Sequence, residues 1–286
     1  MSKEDRIHIF QTTVQLVKAG GYTINHVDVH FDNDAEMMNN TKFYSKKVMS
    51  NHNLPARYDT QIEVLDNDCL EVAHALVRNG LKPAVLNMAS FHTPGGGVER
   101  GSAAQEESIF RRSNIFRSLY QFHPVGENYH IVQKEEQYPL EMRYGAIYTP
   151  GVTVFRKPES EDCRIMEDAF KVDVITIPAV RKPALTEDGD VEDWVKEVLT
   201  GKVKQMLDIA FENGNDSLVL SAFGCGAYGT PPKIVAKIFH DVLSSDEYKG
   251  LFREIYFAII NLPSTNGMHN PEGNFKPFAY EFSKQL

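Results

Sequence analysis

The chain has 286 residues and a formal net charge of −9 at pH 7, with 42% hydrophobic and 24% charged residues. This composition is typical of a globular protein with a substantial core. The acidic balance argues against a dedicated nucleic-acid-binding surface, because such a surface needs a basic patch. The three cysteines lack metal-site spacing and indicate a reducing compartment, and the chain shows neither a signal peptide nor a long apolar run. We therefore expect a cytoplasmic protein.

Hydrophobic periodicity divides the chain into helices and strands. In chain order it predicts a helix over residues 3–19, strands over 22–31 and 61–65, a helix over 68–79, a strand over 84–88, a helix over 107–120, strands over 146–148, 152–155 and 172–177, a helix over 194–211, a strand over 217–221, a helix from Pro232 onward and a strand over 255–260. Residues 32–59 are polar and predict a loop with short helical pieces. Pro150 and Gly151 predict a turn, and Gly201 predicts an interruption or bend in its helix. Strands alternating with helices predict a three-layer α/β domain with a mixed sheet.

One stretch combines a buried strand, a glycine-rich turn and two adjacent carboxylates. The strand over 84–88 leads into three glycines at 95–97, and Gln-Glu-Glu follows at 105–107 where a helix begins. Consecutive N–H groups in such a turn form an anion-binding concavity, and the helix adds the positive end of its dipole. This arrangement suits a phosphate or pyrophosphate. Two acids beside an anion are unfavourable unless one of them is used for chemistry.

A second buried strand, over 217–221, also leads into glycines, at Gly224 and Gly226, and then into a helix. Two such turns at the ends of buried strands would face one another across one cleft and clamp a diphosphate from both sides. Cys225 has two interpretations. It is either a nucleophile whose histidine is distant in sequence, or a small residue packed beside the ligand.

The three glycines, seven intervening residues and Gln-Glu-Glu resemble the signature of poly(ADP-ribose) glycohydrolases, and residues 85–120 are similar to their microbial branch. The resemblance implies a macrodomain-like α/β fold with three layers, a mixed central sheet and an N-terminal accessory helical region. It implies an accessory region over 1–60 packed on a catalytic core over 61–286, with no metal and no cofactor. The implied activity is hydrolysis of ribose–ribose O-glycosidic bonds of poly(ADP-ribose) from the chain end, which releases ADP-ribose.

The resemblance also implies roles for the two glutamates. Because adjacent residues at a helix start cannot act as an opposed carboxylate pair, one acid would serve both steps. Glu107 would protonate the leaving ribose and then deprotonate water, and burial and a like-charged neighbour would favour its protonated form. Glu106 would hydrogen-bond ribose hydroxyls and fix the substrate.

Further residues are implied to bind the substrate. These are Asn87, Gly95, Gly96, Gly97, Val98, Gln105, Gly224, Cys225, Gly226, Ala227, Tyr228 and Asn261. The backbone N–H groups of 95–98 and 224–227 would hold the pyrophosphate. Asn87 and Tyr228 would contact the terminal ribose, and Asn261 the adenine. The family often has Phe in place of Tyr228, a difference that preserves the ring.

Two other functions stay open at this point. A non-catalytic ADP-ribose-binding macrodomain would use the same cleft, although it has no need of the two glutamates. A mono-ADP-ribosyl hydrolase acting on protein or nucleic acid would also use it. The expected partner is poly(ADP-ribose) or an ADP-ribosylated protein, with no nucleic-acid or membrane surface, and a monomer is expected.

Overall fold

The structure is a computed structural model that describes residues 1–32, 34–50, 57–261 and 267–283. Its described strands are β1 (Gly21–Ile24), β2 (Val27–His30), β3 (Lys42–Tyr44), β4 (Gln61–Leu65), β5 (Pro83–Met88), β6 (Ala146–Arg156), β7 (Ile165–Ile177), β8 (Ser217–Leu220) and β9 (Glu254–Ala258). Its described α-helices are α1 (Lys3–Lys18), α2 (Asp34–Asn40), α3 (Cys69–Arg78), α4 (Gln105–Arg112), α5 (Phe116–Leu119), α6 (Asp193–Glu212), α7 (Pro232–Leu243) and α8 (Phe275–Ser283). None of these helices is long and apolar enough to cross a bilayer.

Strands β3 to β9 form one seven-stranded sheet in the order β3-β6-β7-β5-β8-β9-β4. Strands β7, β5, β8, β9 and β4 are parallel, whereas β6 is antiparallel to both of its neighbours. The carboxyl ends of the parallel strands therefore meet at one edge of the sheet, where ligands bind in open α/β folds. The predicted α/β class with a mixed central sheet is confirmed.

Helices cover both faces of this sheet, which gives three layers. Successive residues of the central strands alternate between two apolar clusters, as the strand period requires. Val85 and Val219 belong to the cluster that contains residues of α1, α3 and α4, whereas Leu86 and Leu218 belong to the cluster that contains residues of α6, α7 and α8. The continuous apolar runs of the sequence mark strands buried on both sides.

The N-terminal region packs on the rest of the chain. The Thr13 hydroxyl of α1 donates to the carbonyl O of Arg111 in α4 at 2.6 Å, and Phe10 meets the ring of Phe116 edge-on at 6.1 Å. Strand β3 pairs with β6 and so contributes an edge strand to the main sheet. The region before residue 60 therefore supplies part of the sheet as well as helices.

Three predictions about strands were wrong. Residues 22–31 form a hairpin of β1 and β2, because Asn25 and His26 adopt positive φ angles of 48° and 65° at a tight turn. Strand β3 lies in the stretch predicted to be a loop, of which residues 51–56 fall outside the described part. The Pro150–Gly151 pair does not separate two strands, because it forms an irregularity within the single strand β6.

Two predictions about helices were also wrong. The predicted helix over 107–120 is two helices, because Ser113 is extended and forms a bridge with Val154 of β6. Gly201 does not interrupt α6, which continues through 20 residues. Gly80, which follows the C-cap residue Asn79 of α3, has a φ of 78°, a conformation that favours glycine after a helix.

We expect Asp68→Ala to lower the free energy of unfolding by about 3–5 kcal/mol. Arg112 is only 1% exposed and donates to both carboxylate oxygens of Asp68 at 2.8 Å. The same carboxylate caps α3 by accepting the N–H groups of Leu70 and Glu71. Asp68→Asn is the matched control, because it keeps a capping oxygen and removes only the charge. Urea unfolding at pH 7 measures both losses, and a loss of about 1 kcal/mol for the alanine variant would mean that only the cap matters.

Candidate active site

The two glycine turns follow neighbouring parallel strands, β5 and β8. Strands β5 and β8 are paired only as far as Val85 of β5, whereas β5 and β7 remain paired as far as Met88. Beyond Val85, where β8 no longer pairs with β5, the Gln105 side chain forms hydrogen bonds with the free edge of β5. Its Nε2 donates to the carbonyl O of Leu86 at 2.6 Å, and its Oε1 accepts the N–H of Met88 at 2.9 Å. Gln105, predicted to bind substrate, therefore uses both ends of its amide to fix α4 against β5.

Glu106 and Glu107 lie in the first turn of α4 and are 3% and 8% exposed. The two carboxylate oxygens of Glu106 accept the N–H groups of Gly95 at 2.9 Å and Ser90 at 2.7 Å. Oε1 of Glu107 accepts the N–H of Gly97 at 2.8 Å, and its Oε2 has no hydrogen-bond partner in the described part of the chain. The glycine turn thus holds both carboxylates in place.

The glycines at 95 and 96 are required by close approach. A Cβ atom at Gly96 would lie 2.6 Å from Oε1 of Glu107 and 3.1 Å from Oε2 of Glu106. A Cβ atom at Gly95 would lie 2.6 Å from the ring of Phe110. Both glycines also adopt positive φ angles, 76° and 54°. The turn is therefore built around the two carboxylates and is not a flexible linker.

The N–H groups of residues 95–98 were predicted to hold a pyrophosphate. In the structure all four donate within the protein. The first and third donate to the two glutamates, and the other two donate to carbonyl groups of the same turn. The first turn therefore orients carboxylates, and its amide donors are already occupied.

The second turn has unoccupied amide donors. Of the N–H groups at 224–227 that were predicted to hold the pyrophosphate, that of Cys225 is occupied, because it donates to the carbonyl O of Ala222 at 3.0 Å. The N–H groups of Gly226, Ala227 and the following Tyr228 have no acceptor among the described residues, and Gly226 and Ala227 are exposed. Gly224 has a φ of 76°, and a Cβ atom there would lie 2.7 Å from that of Ala179. Consecutive unpaired N–H groups in a turn form an anion-binding concavity.

Cys225 lies between these glycines but is fully buried. Burial raises the pKa of its thiol, so the nucleophilic thiolate is disfavoured. The Sγ of Cys225 lies 3.6 Å from the carbonyl O of Phe223. Nε2 of His269 forms a hydrogen bond with the carbonyl O of Cys225 at 2.8 Å, and not with its sulfur. Of the two interpretations, these contacts favour packing over nucleophilic chemistry.

Tyr228 joins the two turns. Its hydroxyl accepts the N–H of Phe91 at 3.0 Å, and the preceding N–H, that of Ser90, binds Glu106. Burial raises the pKa of Tyr228, so its hydroxyl keeps its proton. The two turns therefore face one another at one edge of the sheet, as predicted. Asn261 follows β9, one strand farther along that edge, and its N–H donates to Asp66 at 2.9 Å.

Three buried polar atoms at this edge have no hydrogen-bond partner among the described residues, namely Oδ1 of Asn87, the hydroxyl of Tyr138 and Oγ1 of Thr230. Asn87 lies in β5, and its Nδ2 donates to the Thr176 hydroxyl of β7 at 3.1 Å. Burial raises the pKa of Tyr138, and the charges of Glu106 and Tyr228 add to this effect. Sequence reasoning missed Tyr138 because it lies in an irregular segment without periodicity or motif.

The electrostatic environment of Glu106 favours its protonated form. Burial raises the pKa of Glu106 to about 8, and the charge of Glu107 adds to this effect, whereas the N–H donors of Ser90 and Gly95 oppose it. At neutral pH Glu106 is mostly a neutral acid.

Comparisons with known proteins identify the family of the chain. The family described as microbial-type PARG (poly(ADP-ribose) glycohydrolase), catalytic domain, matches residues 10–157, more than half of the chain. The chain is similar to a crystal structure of the glycohydrolase of Thermomonospora curvata bound to the inhibitor ADP-HPD, with 27% identity over 99% of this chain and 100% of that chain and a TM-score of 0.76. It is also similar to that of Deinococcus radiodurans in complex with ADP-ribose, with 26% identity, 90% and 100% coverage and a TM-score of 0.70. No curated protein matches.

We expect the raised pKa of Glu106 to make folding stability depend on pH. Its carboxyl has a pKa of about 4.5 when unfolded and about 8 when folded, so its stabilising contribution is complete below pH 4.5 and is lost as the pH rises through 8. Glu106→Gln should remove this dependence. The stability of the parent relative to the variant should therefore fall by on the order of a few kcal/mol between pH 4.5 and 8.

Urea unfolding at a series of pH values measures this difference. The variant Glu36→Gln, which removes an exposed carboxylate of α2, is the control for the loss of one charge. A stability difference between parent and Glu106→Gln that stays constant with pH would contradict the prediction.

Proposed function

Because the chain belongs to the microbial-type poly(ADP-ribose) glycohydrolase family, we propose that it hydrolyses ribose–ribose O-glycosidic bonds of poly(ADP-ribose) and releases ADP-ribose. One observation carries the proposal. Two buried carboxylates are held by the N–H groups of one turn, and a second turn, linked to the first segment through the Tyr228 hydroxyl, has N–H groups without acceptors among the described residues. Acid–base groups beside an anion site are what cleavage next to a diphosphate requires.

We propose Glu107 as the general acid and base. Cleavage needs a proton at the leaving oxygen and an activated water at the anomeric carbon. Both oxygens of Glu106 accept backbone N–H groups, whereas Oε2 of Glu107 has no partner among the described residues and is available to give and take a proton. Because the two residues are adjacent in one helical turn, a single carboxyl would serve both steps in succession.

Glu106 would position the substrate through its ribose hydroxyls. Its pKa of about 8 leaves it neutral at physiological pH, and a neutral acid both donates and accepts a hydrogen bond. Neutrality also removes one negative charge from the neighbourhood of a diphosphate. The burial that disfavours ionisation of Glu106 therefore suits it to hydrogen-bonding the ribose hydroxyls.

The second turn would hold the diphosphate through the N–H groups of residues 226–228. Asn87 and Tyr228 would contact the terminal ribose, and Asn261 the adenine. The orphaned Oδ1 of Asn87 is an acceptor for a ribose hydroxyl. Cleavage would proceed from the chain end, so that ADP-ribose, and not oligomers, is the main product.

We expect Glu107→Gln to reduce turnover of poly(ADP-ribose) by about 10²–10⁴-fold, because the amide keeps an acceptor for Gly97 but has no acidic proton. The Kd for ADP-ribose should stay roughly unchanged, since the second turn holds the diphosphate. Free ADP-ribose released from purified polymer and from mono-ADP-ribosylated protein is the measurement, with Glu36→Gln as the control.

Each alternative has its own outcome in this assay. Near-normal release by Glu107→Gln would contradict the acid–base assignment. A parent protein that binds ADP-ribose but releases none would be a binding module, and release from the protein conjugate alone would identify a mono-ADP-ribosyl hydrolase. Early accumulation of free oligomers would contradict cleavage from the chain end.

We expect Gly226→Val to abolish ADP-ribose binding without unfolding the protein. Gly226 is exposed, its φ is not positive, and a Cβ atom there would meet no atom within 4 Å. The added side chain would therefore occupy only the space proposed for the diphosphate. The thermal midpoint without ligand should match that of the parent, whereas the rise with millimolar ADP-ribose should disappear.

Gly201→Ala in α6 is the control, because its new Cβ atom would lie 3.7 Å from the ring of Tyr144, an ordinary contact. This variant should keep the full ligand-dependent rise. If Gly226→Val were stabilised by ADP-ribose as much as the parent, the second turn would not be the diphosphate site.

A further inference from the structure

The Tyr138 hydroxyl is an unpaired polar group inside the protein. The residue is 8% exposed, its ring belongs to the apolar cluster that includes Phe110 and Tyr120, and its N–H donates to the carbonyl O of Phe122 at 2.8 Å. The hydroxyl itself has no hydrogen-bond partner in the described part of the chain. A buried hydroxyl without a partner destabilises a fold, and phenylalanine would fill the same space without this cost. The packing of the ring therefore does not explain the hydroxyl.

The segment that carries Tyr138 is attached to the active site. Two residues farther on, the N–H of Leu140 donates to the carbonyl O of Phe91 at 3.2 Å, and the N–H of Phe91 donates to the Tyr228 hydroxyl at 3.0 Å. Burial, and to a smaller extent the charges of Glu106 and Tyr228, raise the pKa of the Tyr138 hydroxyl. The orphaned hydroxyl thus lies beside the proposed ribose site, although it is distant from both glycine turns in sequence.

Two of the orphaned groups of this edge, those of Tyr138 and Asn87, are chemically complementary to a sugar. Burial raises the pKa of Tyr138 well above its usual value, so its hydroxyl stays protonated and is available as a donor. Oδ1 of Asn87 is an acceptor. A ribose presents hydroxyl and ether oxygens that accept hydrogen bonds and hydroxyl protons that donate them. One bound ribose therefore offers partners of both kinds.

We propose that the Tyr138 hydroxyl donates a hydrogen bond to a ribose oxygen of the bound ADP-ribose unit and thereby positions the substrate. The proposal rests on the proposed function, because it takes the ligand of the cleft to be an ADP-ribosyl group. It adds to the site a residue that neither glycine turn contains.

The test compares two Tyr→Phe variants that each remove one buried or half-buried hydroxyl. In Tyr138→Phe we expect the Kd for ADP-ribose and the KM for poly(ADP-ribose) to rise about 3–10-fold, as the loss of one hydrogen bond predicts, with kcat within about twofold of the parent. Its thermal midpoint without ligand should equal or exceed that of the parent, and the pH profile of kcat should keep its position.

Tyr22→Phe is the matched control, because the Tyr22 hydroxyl donates to the carbonyl O of Met166 at 2.6 Å and its ring packs against that of Phe155. It should lower the thermal midpoint and leave Kd and KM unchanged. The two variants thus separate a hydroxyl that binds ligand from one that stabilises the fold.

Unchanged Kd and KM in Tyr138→Phe would overturn the inference, even with an active parent. A lower midpoint without ligand would also overturn it, since the hydroxyl would then have a partner in the free protein. A shifted pH profile with unchanged Kd would mean that Tyr138 acts through Glu106 and not on the ribose. If the parent binds ADP-ribose but does not cleave polymer, the proposed activity fails, and a raised Kd in Tyr138→Phe still supports the contact.

Discussion

Two acidic side chains buried at adjacent positions of one helical turn set the conditions for the rest of the site. A buried carboxyl is costly unless its oxygens are hydrogen-bonded. The N–H groups of Ser90, Gly95 and Gly97 supply these bonds. They reach the carboxylates because the chain at Gly96 has no side chain and passes within contact distance of both acids. The glycine run, the length of β5 and the position of α4 all serve this one set of hydrogen bonds.

The two glycine turns divide the work between them. Both follow neighbouring parallel strands and lead toward helices, so their sequences predict the same anion-binding role for each. In the first turn, N–H groups donate to the two acids. In the second turn, the N–H groups of Gly226, Ala227 and Tyr228 have no acceptors among the described residues. The acids and the proposed anion site therefore have separate sets of N–H donors. Because Glu106 is mostly neutral at physiological pH, the repulsion between the acids and a diphosphate is smaller than two carboxylates in sequence suggest.

The sequence predicted the parts of this molecule that depend on local pattern. The apolar runs of β5 and β8 located the sheet edge, and the glycines and acids after them located the cleft. The sequence did not predict features set by contacts between distant segments. The hairpin turn at Asn25 and His26, the bulge at Gly151 and the unpaired hydroxyl of Tyr138 leave no periodic signal. The sequence also did not predict the acceptor of each N–H group in the first turn, because that depends on where α4 packs.

The support of α4 extends this argument to the N-terminal region. The first turn of α4 carries the acids, and Gln105 fixes that turn to β5. The last turn is fixed by Arg112, which binds the Asp68 cap of α3, and by Arg111, whose carbonyl O accepts the Thr13 hydroxyl of α1. The Arg111 guanidinium also donates to the carbonyl O of Ser102, between the glycines and the acids. Helix α1 is therefore part of the framework that holds the glutamates, and it supports the site without contributing a side chain to the chemistry.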